Sequence, residues 1–267
     1  MFCMFKFWGV NKIYTNIKIN KYFIKSLFFL TLLFAVVIAF SGVLYASNSV
    51  IISNDTDVGI GGSLGNDTII LTNGTYSGDN NTNIEISNNK NLIIQSQDPN
   101  NKASIDCHGA WFIENNGNLT LVNLIIKNAY RNFGGAINNY GQLTIINCTF
   151  VNNTAHNGGV INGNCNLSIV NSSFINNTAI DAGVINSYNC NLSIVNSNFI
   201  NNTAINDGGV IYSDRGDNYI INSTFTNNTA GRNGGVIVDF SNNTFIFNSI
   251  FTNNTANADG GVIISRV

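Results

Sequence analysis

Charge is scarce in this chain. Asp, Glu, Lys and Arg make up only 10% of its 267 residues, and the net charge is −2. No basic surface is available to hold a nucleic-acid backbone, and the acidity is too slight for a polyanionic role. Histidine occurs twice, as His108 and His156, and none of the five cysteines forms a Cys-x-x-Cys pair. That spacing argues against a zinc site, and no metal or other cofactor is expected. Proline occurs once, at Pro99, and helical periodicity is nearly absent beyond residue 48. Asparagine, in contrast, occurs 52 times. It is interleaved in a strict pattern with Ile, Val, Leu and Phe, which points to a folded β array and away from a disordered polar tract.

One long apolar run is present. Residues 27–46, LFFLTLLFAVVIAFSGVLYA, are long enough to span a bilayer. Lys6, Lys12, Lys18, Lys21 and Lys25 precede the run, and the next lysine is Lys90. This asymmetry places the N-terminus inside and exports everything after residue 47. Residues 1–47 read as a signal peptide cut after Ala46 or as an uncut membrane anchor. Residues 48–66 read as a linker or N-terminal cap, and 67–267 as the repeat domain.

The repeat is read from the phrase F-x-N-N-T-A, which starts at Phe150, Phe174, Phe199, Phe225 and Phe251, at intervals of 24, 25, 26 and 26. A tetrad of the form G-G-V-I follows most copies. Periods of this length signal solenoids. Every segment has strand-like alternation and no helix completes a leucine-rich repeat. The expected fold is therefore all-β, a right-handed parallel β-helix of about eight coils with three short strands each, roughly 38 Å long at about 4.8 Å per coil.

In such a coil like stacks upon like. The five phenylalanines form one internal stack, and Leu143, Leu167 and Leu192 another. Asn147, Asn171, Asn196, Asn222 and Asn248, extended by Asn123, are expected to form an amide column at a bend, each side chain donating to one neighbour and accepting from the other. Gly135, Gly159, Gly183, Gly209, Gly235 and Gly261 sit where a bend needs positive φ or close backbone approach. Ala182 replaces the first glycine of one tetrad, so the second glycine is the stricter one. Cys165 and Cys190 fall one repeat apart in the same NCNLSIVNS phrase, as two free thiols or a disulfide. Variation concentrates in two stretches, between NNTA and GG and between GGVI and the next strand. Such turns commonly form a solenoid's binding face.

The motifs GGAI (134–137) and F-x-N-N resemble the polymorphic outer membrane protein repeat. The stretches DTIILTNGTYSG (67–78), NLIIQSQDPNNKASIDCHG (91–109) and LTLVNLIIKNA (119–129) are similar to the opening coils of archaeal adhesin-like, Asn/Thr-rich surface proteins. Together the resemblance covers about three quarters of the chain, residues 67–264. It implies the pectate lyase-like β-helix superfamily and a non-enzymatic surface role, adhesion to glycans or neighbouring cells. The competing readings are a carbohydrate-active enzyme and a structural envelope spacer. Hydrolysis on this fold needs clustered carboxyls, one to protonate the leaving oxygen and one to activate water. Asp181, Asp207, Asp214, Asp217, Asp239 and Asp259 are the candidates, with Arg215 and Arg232 for lyase chemistry. Asp181, Asp207 and Asp259 occupy roughly matching positions that line up on one edge, and turn chemistry is the favoured explanation for them. The tripeptide at 215–217 reads Arg-Gly-Asp in a polar turn. Asn73, Asn152, Asn176, Asn201, Asn227 and Asn253 head glycosylation sequons. The last repeat ends just before Val267, and a bare final rung is expected to favour end-to-end self-association or to mark a piece of a longer protein.

Overall fold

Alternation within each repeat dictates which side chains turn inward. In Leu143-Thr144-Ile145 the two aliphatic residues share one side and the threonine takes the other. The computed structural model describes residues 48–265 except Thr56. The apolar run at 27–46, cleavage after Ala46 and attachment to a membrane lie outside the described residues. Among the described residues no helix is long and apolar enough to cross a membrane.

The described chain is a parallel β-solenoid, with a single three-residue 3-10 turn at Gly61–Ser63. One coil runs through Gln142–Ile146, Thr149–Val151, Thr154–Asn157 and Ile161–Gly163. These four strands belong to four separate sheets of nine, eight, six and eight strands. After their dominant inward residue we name them the leucine, phenylalanine, alanine and isoleucine faces. From residue 118 on, coils therefore have four strands where three are expected from the sequence, while the two preceding coils, over residues 68–86 and 91–115, have the expected three. The extra one is the short Thr-Ala segment, only two residues long at Thr203–Ala204, Thr229–Ala230 and Thr255–Ala256.

Identical residues pair along each face. Leu143, Leu167 and Leu192 align, as do Ala155, Ala179, Ala204, Ala230 and Ala256, and Ile137, Ile161, Ile185, Ile211, Ile237 and Ile263. Phe150, Phe174, Phe199, Phe225 and Phe251 stack with ring centroids 5.1, 4.8, 4.8 and 4.9 Å apart and planes within 6° of parallel. The first four rings are completely buried. The sheet spacing alone imposes this face-to-face arrangement, since in-register side chains sit one strand apart.

Asparagine turns the corners. Asn147 (φ 52°) ends the leucine face and Asn152 (φ 56°) ends the phenylalanine face. Each later coil repeats both, at Asn171 and Asn176, Asn196 and Asn201, Asn222 and Asn227, and Asn248 and Asn253. A left-handed residue reverses the chain direction in one step, and asparagine is the side chain that tolerates it best. The sequence expectation of an amide column at Asn147 and its equivalents is therefore displaced. Asn171, Asn196, Asn222 and Asn248 are exposed. Among the described residues that column carries one amide–amide bond, from Asn147 Nδ2 to Asn123 Oδ1 at 2.7 Å.

The buried amide ladder lies six residues on, at Asn153, Asn177, Asn202 and Asn228, with Asn254 at its end. From Asn177 to Asn254 each Oδ1 accepts both the backbone N–H and the Nδ2–H of the preceding coil's asparagine, at 2.9–3.0 Å, and Asn153 Oδ1 accepts the Ala129 N–H at 3.0 Å. Each Nδ2 also donates to a backbone carbonyl, as Asn177 does to Phe150 at 3.2 Å and Asn202 to Phe174 at 3.0 Å. A serine ladder supports the other corner. Ser172, Ser197, Ser223 and Ser249 accept through Oγ from the backbone N–H of Cys148, Ser172, Ser197 and Ser223, each at 3.1 Å.

The two glycines of each tetrad do different work. The first, as at Gly158 (φ 65°), takes the left-handed turn, and Ala182 takes it at φ 58°. The second lies under the next coil. A Cβ on Gly135, Gly159, Gly183, Gly209 or Gly235 would stand 2.1–2.3 Å from the following glycine's carbonyl oxygen. Gly261 has nothing within 4 Å of that position.

Candidate functional site

The drift in repeat length locates the variable surface. Ala179 to Gly183 spans four positions and Ala204 to Gly209 five, while Ile161 to Leu167 spans six and Ile185 to Leu192 seven. Both insertions border the isoleucine face, one before it and one after. The two variable stretches thus flank a single exterior surface.

Two outward columns cover that surface. The first contains Asn138, Asn162, Asn186, Tyr212, Val238 and Ile264 in register. Its amides form an outer ladder. Asn186 Nδ2 donates to Asn162 Oδ1 at 2.8 Å, Asn162 Nδ2 to Asn138 Oδ1 at 2.9 Å, and Asn138 Nδ2 to Tyr140 Oη at 2.9 Å. The second column includes Tyr188, Asp214 and Phe240. Tyr140 and Tyr188 are nearly half exposed. The rings of Tyr212 and Phe240 lie 5.7 Å apart, and Arg215 sits 5.2 Å over the Tyr188 ring. Neither column was evident from the sequence alone, because its letters change from Asn to Tyr to Val.

The candidate catalytic aspartates do not converge. Asp181 and Asp207 are adjacent, each bonded to the next coil: Asp181 Oδ1 accepts from the Asp207 N–H at 3.2 Å, and Asp207 Oδ1 from the Asn233 N–H at 3.1 Å and Nδ2 at 2.8 Å. Asn233 interrupts the column before Asp259, whose N–H it accepts at 3.3 Å. Asp214 pairs with Arg215 at 3.9 Å, and the Asp217 carboxylate accepts from Asn243 at 2.9 Å. Asp239 turns inward, with Ser241 and Asn218 as donors. The Arg-Gly-Asp turn thus has both charged ends engaged within the chain. Arg232 is exposed beside the first variable turn.

Both histidines are exposed and distant in sequence from these groups. His108 lies 3.6 Å from Asp106, which also pairs with Lys127 at 3.1 Å. Burial pushes the Asp106 carboxyl up, but hydrogen bonds from Asn128, Lys127 and the His108 backbone, together with the Lys127 charge, hold it below the ordinary carboxylate range. It is a fixed anion near neutral pH, suited to tying two coils together. The described cysteines are free. Burial pushes Cys107 and Cys148 up to about 12 and Cys190 to about 11, far from a nucleophile's range. Cys190 Sγ donates to the Cys165 carbonyl. Among the described residues no group of three or more His, Cys, Asp or Glu is placed to hold a metal ion. The sequon asparagines Asn73, Asn152, Asn176, Asn201, Asn227 and Asn253 are all exposed, the last five on one corner ridge.

Comparison with known proteins supports the repeat and little more. Residues 196–214 and 222–239 match the family described as Chlamydia polymorphic membrane protein repeat. No curated protein and no solved structure matches the chain.

Proposed function

We propose that this chain is a non-enzymatic, surface-exposed binding protein of the adhesin type, and that the exterior of its isoleucine face binds glycans. The observation that carries the proposal is the flanking of one face by both variable turns, over outward columns of amides and aromatic rings. Side-chain amides match sugar hydroxyls, since each offers donors and an acceptor. Aromatic faces suit the apolar C–H surface of a sugar ring, and tyrosine adds a polar edge. The match to a membrane-protein repeat favours display at a cell surface, with the apolar run at 27–46 as the export signal or anchor. Each of Asp181 and Asp207 spends Oδ1 on a neighbouring coil, an arrangement suited to holding turns and not to proton transfer.

A glycan array probed with the full 267-residue chain tests the reading. Binding to a defined subset of glycans, without release of reducing ends, is expected. Silence across the array contradicts it and leaves a structural spacer, and cleavage of a bound polysaccharide contradicts it in favour of an enzyme.

A further inference from the structure

We propose that Cys165 and Cys190 are the two halves of a disulfide that staples one coil to the next at the second variable turn, and that it closes when the chain meets an oxidant. The surface reading above supplies only the setting, since exported chains meet oxidising conditions.

The two cysteines stand two residues before the aligned leucines Leu167 and Leu192, so they are neighbours in one column along the solenoid. In the other coils that column holds Gly117, Gly141, Gly216 and Asn242. Thiols thus occur at two consecutive coils of a column that is otherwise mostly glycine. The glycines show where a side chain in this column aims. A Cβ on Gly141 would stand 1.9 Å from the Gly117 carbonyl oxygen, and one on Gly216 would stand 2.0 Å from that of Cys190. A side chain here runs back onto the preceding coil. Cys190 does so, since its Sγ donates to the Cys165 carbonyl. It also uses the space that Gly163 leaves, with Sγ 3.7 Å from where a Cβ on that glycine would lie.

The pair is asymmetric. Cys190 is buried, whereas Cys165 is half-buried between the exposed Asn164 and Asn166. The turn that carries Cys190 is one residue longer than the turn that carries Cys165, which breaks the parallel alignment that regular stacking imposes. Neighbouring strands lie about 4.8 Å apart, inside the Cα window of about 4.4–6.8 Å for a disulfide. Closure therefore asks Cys165 to turn its side chain toward Cys190. Cys107 and Cys148 are buried at other corners.

The more accessible thiol reacts first. With a small-molecule disulfide such as oxidised glutathione, the Cys165 thiolate attacks one sulfur. The glutathione S–S bond breaks, and the departing thiolate takes up the proton that Cys165 gave up. Cys190 then loses its proton and attacks Cys165 Sγ, releasing the second glutathione, which is protonated in turn. Two protein thiols are oxidised and one glutathione disulfide is reduced to two thiols. Burial disfavours the Cys190 thiolate, and its fixed position beside Cys165 makes up for the small ionised fraction.

Mass-spectrometric mapping of the full chain tests the staple. The folded, reduced chain is equilibrated with oxidised glutathione near pH 8, its remaining thiols are alkylated, and it is digested without reduction. The joined Cys165–Cys190 peptide is expected to account for most of both residues. Cys190→Ser is expected to halt the reaction at a glutathione adduct on Cys165, and Cys165→Ser to leave Cys190 a free thiol. A stable glutathione adduct on Cys165 of the parent chain, two unreacted thiols, or either thiol joined to a different cysteine overturns the staple. Glutathione found on Cys190 in Cys165→Ser contradicts the order of attack. None of these results bears on glycan binding, which the array decides separately.

Discussion

Asn202→Ala is expected to destabilise the solenoid by about 4 kcal/mol, a large part of the roughly 5–15 kcal/mol that holds most domains folded. Asn202 is completely buried and its side chain makes four hydrogen bonds. Truncation strands the N–H of Asn177 and the carbonyl of Phe174 in a dry corner and takes one of the two bonds from Asn177 Nδ2, which keeps Phe150, and unpaired buried polar groups cost about 1–3 kcal/mol each. Asn228 Oδ1 keeps its bond from the Asn202 backbone N–H at 2.9 Å, so not every partner is orphaned. Asn196→Ala, in the same coil, is expected to cost only about 1 kcal/mol, the penalty of a left-handed alanine at an exposed bend. Urea midpoints of the two variants against the parent chain make the comparison. Equal losses would contradict the assignment of the buried ladder to the second asparagine of N-N-T.

Gly209→Ala is the second substitution with a large expected effect. The added Cβ would lie 2.1 Å from the Gly235 carbonyl oxygen and 2.9 Å from that of Thr229. Both are backbone atoms of the neighbouring coil, so no flexible side chain can move aside. Relief requires separating the coils, which lengthens the Gly209 N–H to Gly234 carbonyl bond, now 2.9 Å. A cost of about 3 kcal/mol or more follows, at the upper end of overpacking penalties. Gly261→Ala provides the control at the same motif position. It meets nothing within 4 Å, and its effect is expected to stay within about 0.5 kcal/mol. Thermal or urea unfolding of the pair distinguishes a close-approach glycine from one kept for backbone freedom, since only the former predicts this contrast.

These two sites also show what the sequence could and could not disclose. The phenylalanine stack was legible because one bulky residue recurs at 24–26 positions and has a single inward role. The second tetrad glycine was legible because Ala182 marks the first as replaceable. The amide ladder was harder to place. Each F-x-N-N-T-A repeat has three asparagines at its corners with two physical roles, two in left-handed conformation and one buried, and the letter is the same for all three. A signal did exist: Ala155 is inward, and counting back by two along a strand reaches Asn153. The Thr-Ala strand was missed because it shrinks to two residues in the last three coils and runs into the variable turn in the others, so it carries no readable alternation. The binding surface depended on register. Only when Asn186, Tyr212 and Val238 are known to be neighbours does a column of unlike residues become a wall that changes from polar to apolar. The aspartates at 181, 207 and 259 looked like one edge, but the intervening Asn233 is visible only when coils are aligned.

Cohesion of the solenoid rests above all on coils tied together at a buried asparagine corner. Hydrogen exchange of the backbone amides of Asn153, Asn177 and Asn202, followed by NMR, tests it directly. These N–H groups lie in corners between strands, where exchange is ordinarily fast, yet each donates to the Oδ1 of the next coil. The prediction is protection equal to that of the leucine-face strands. Exchange at the rate of the variable turns, with those strands still protected, would contradict it.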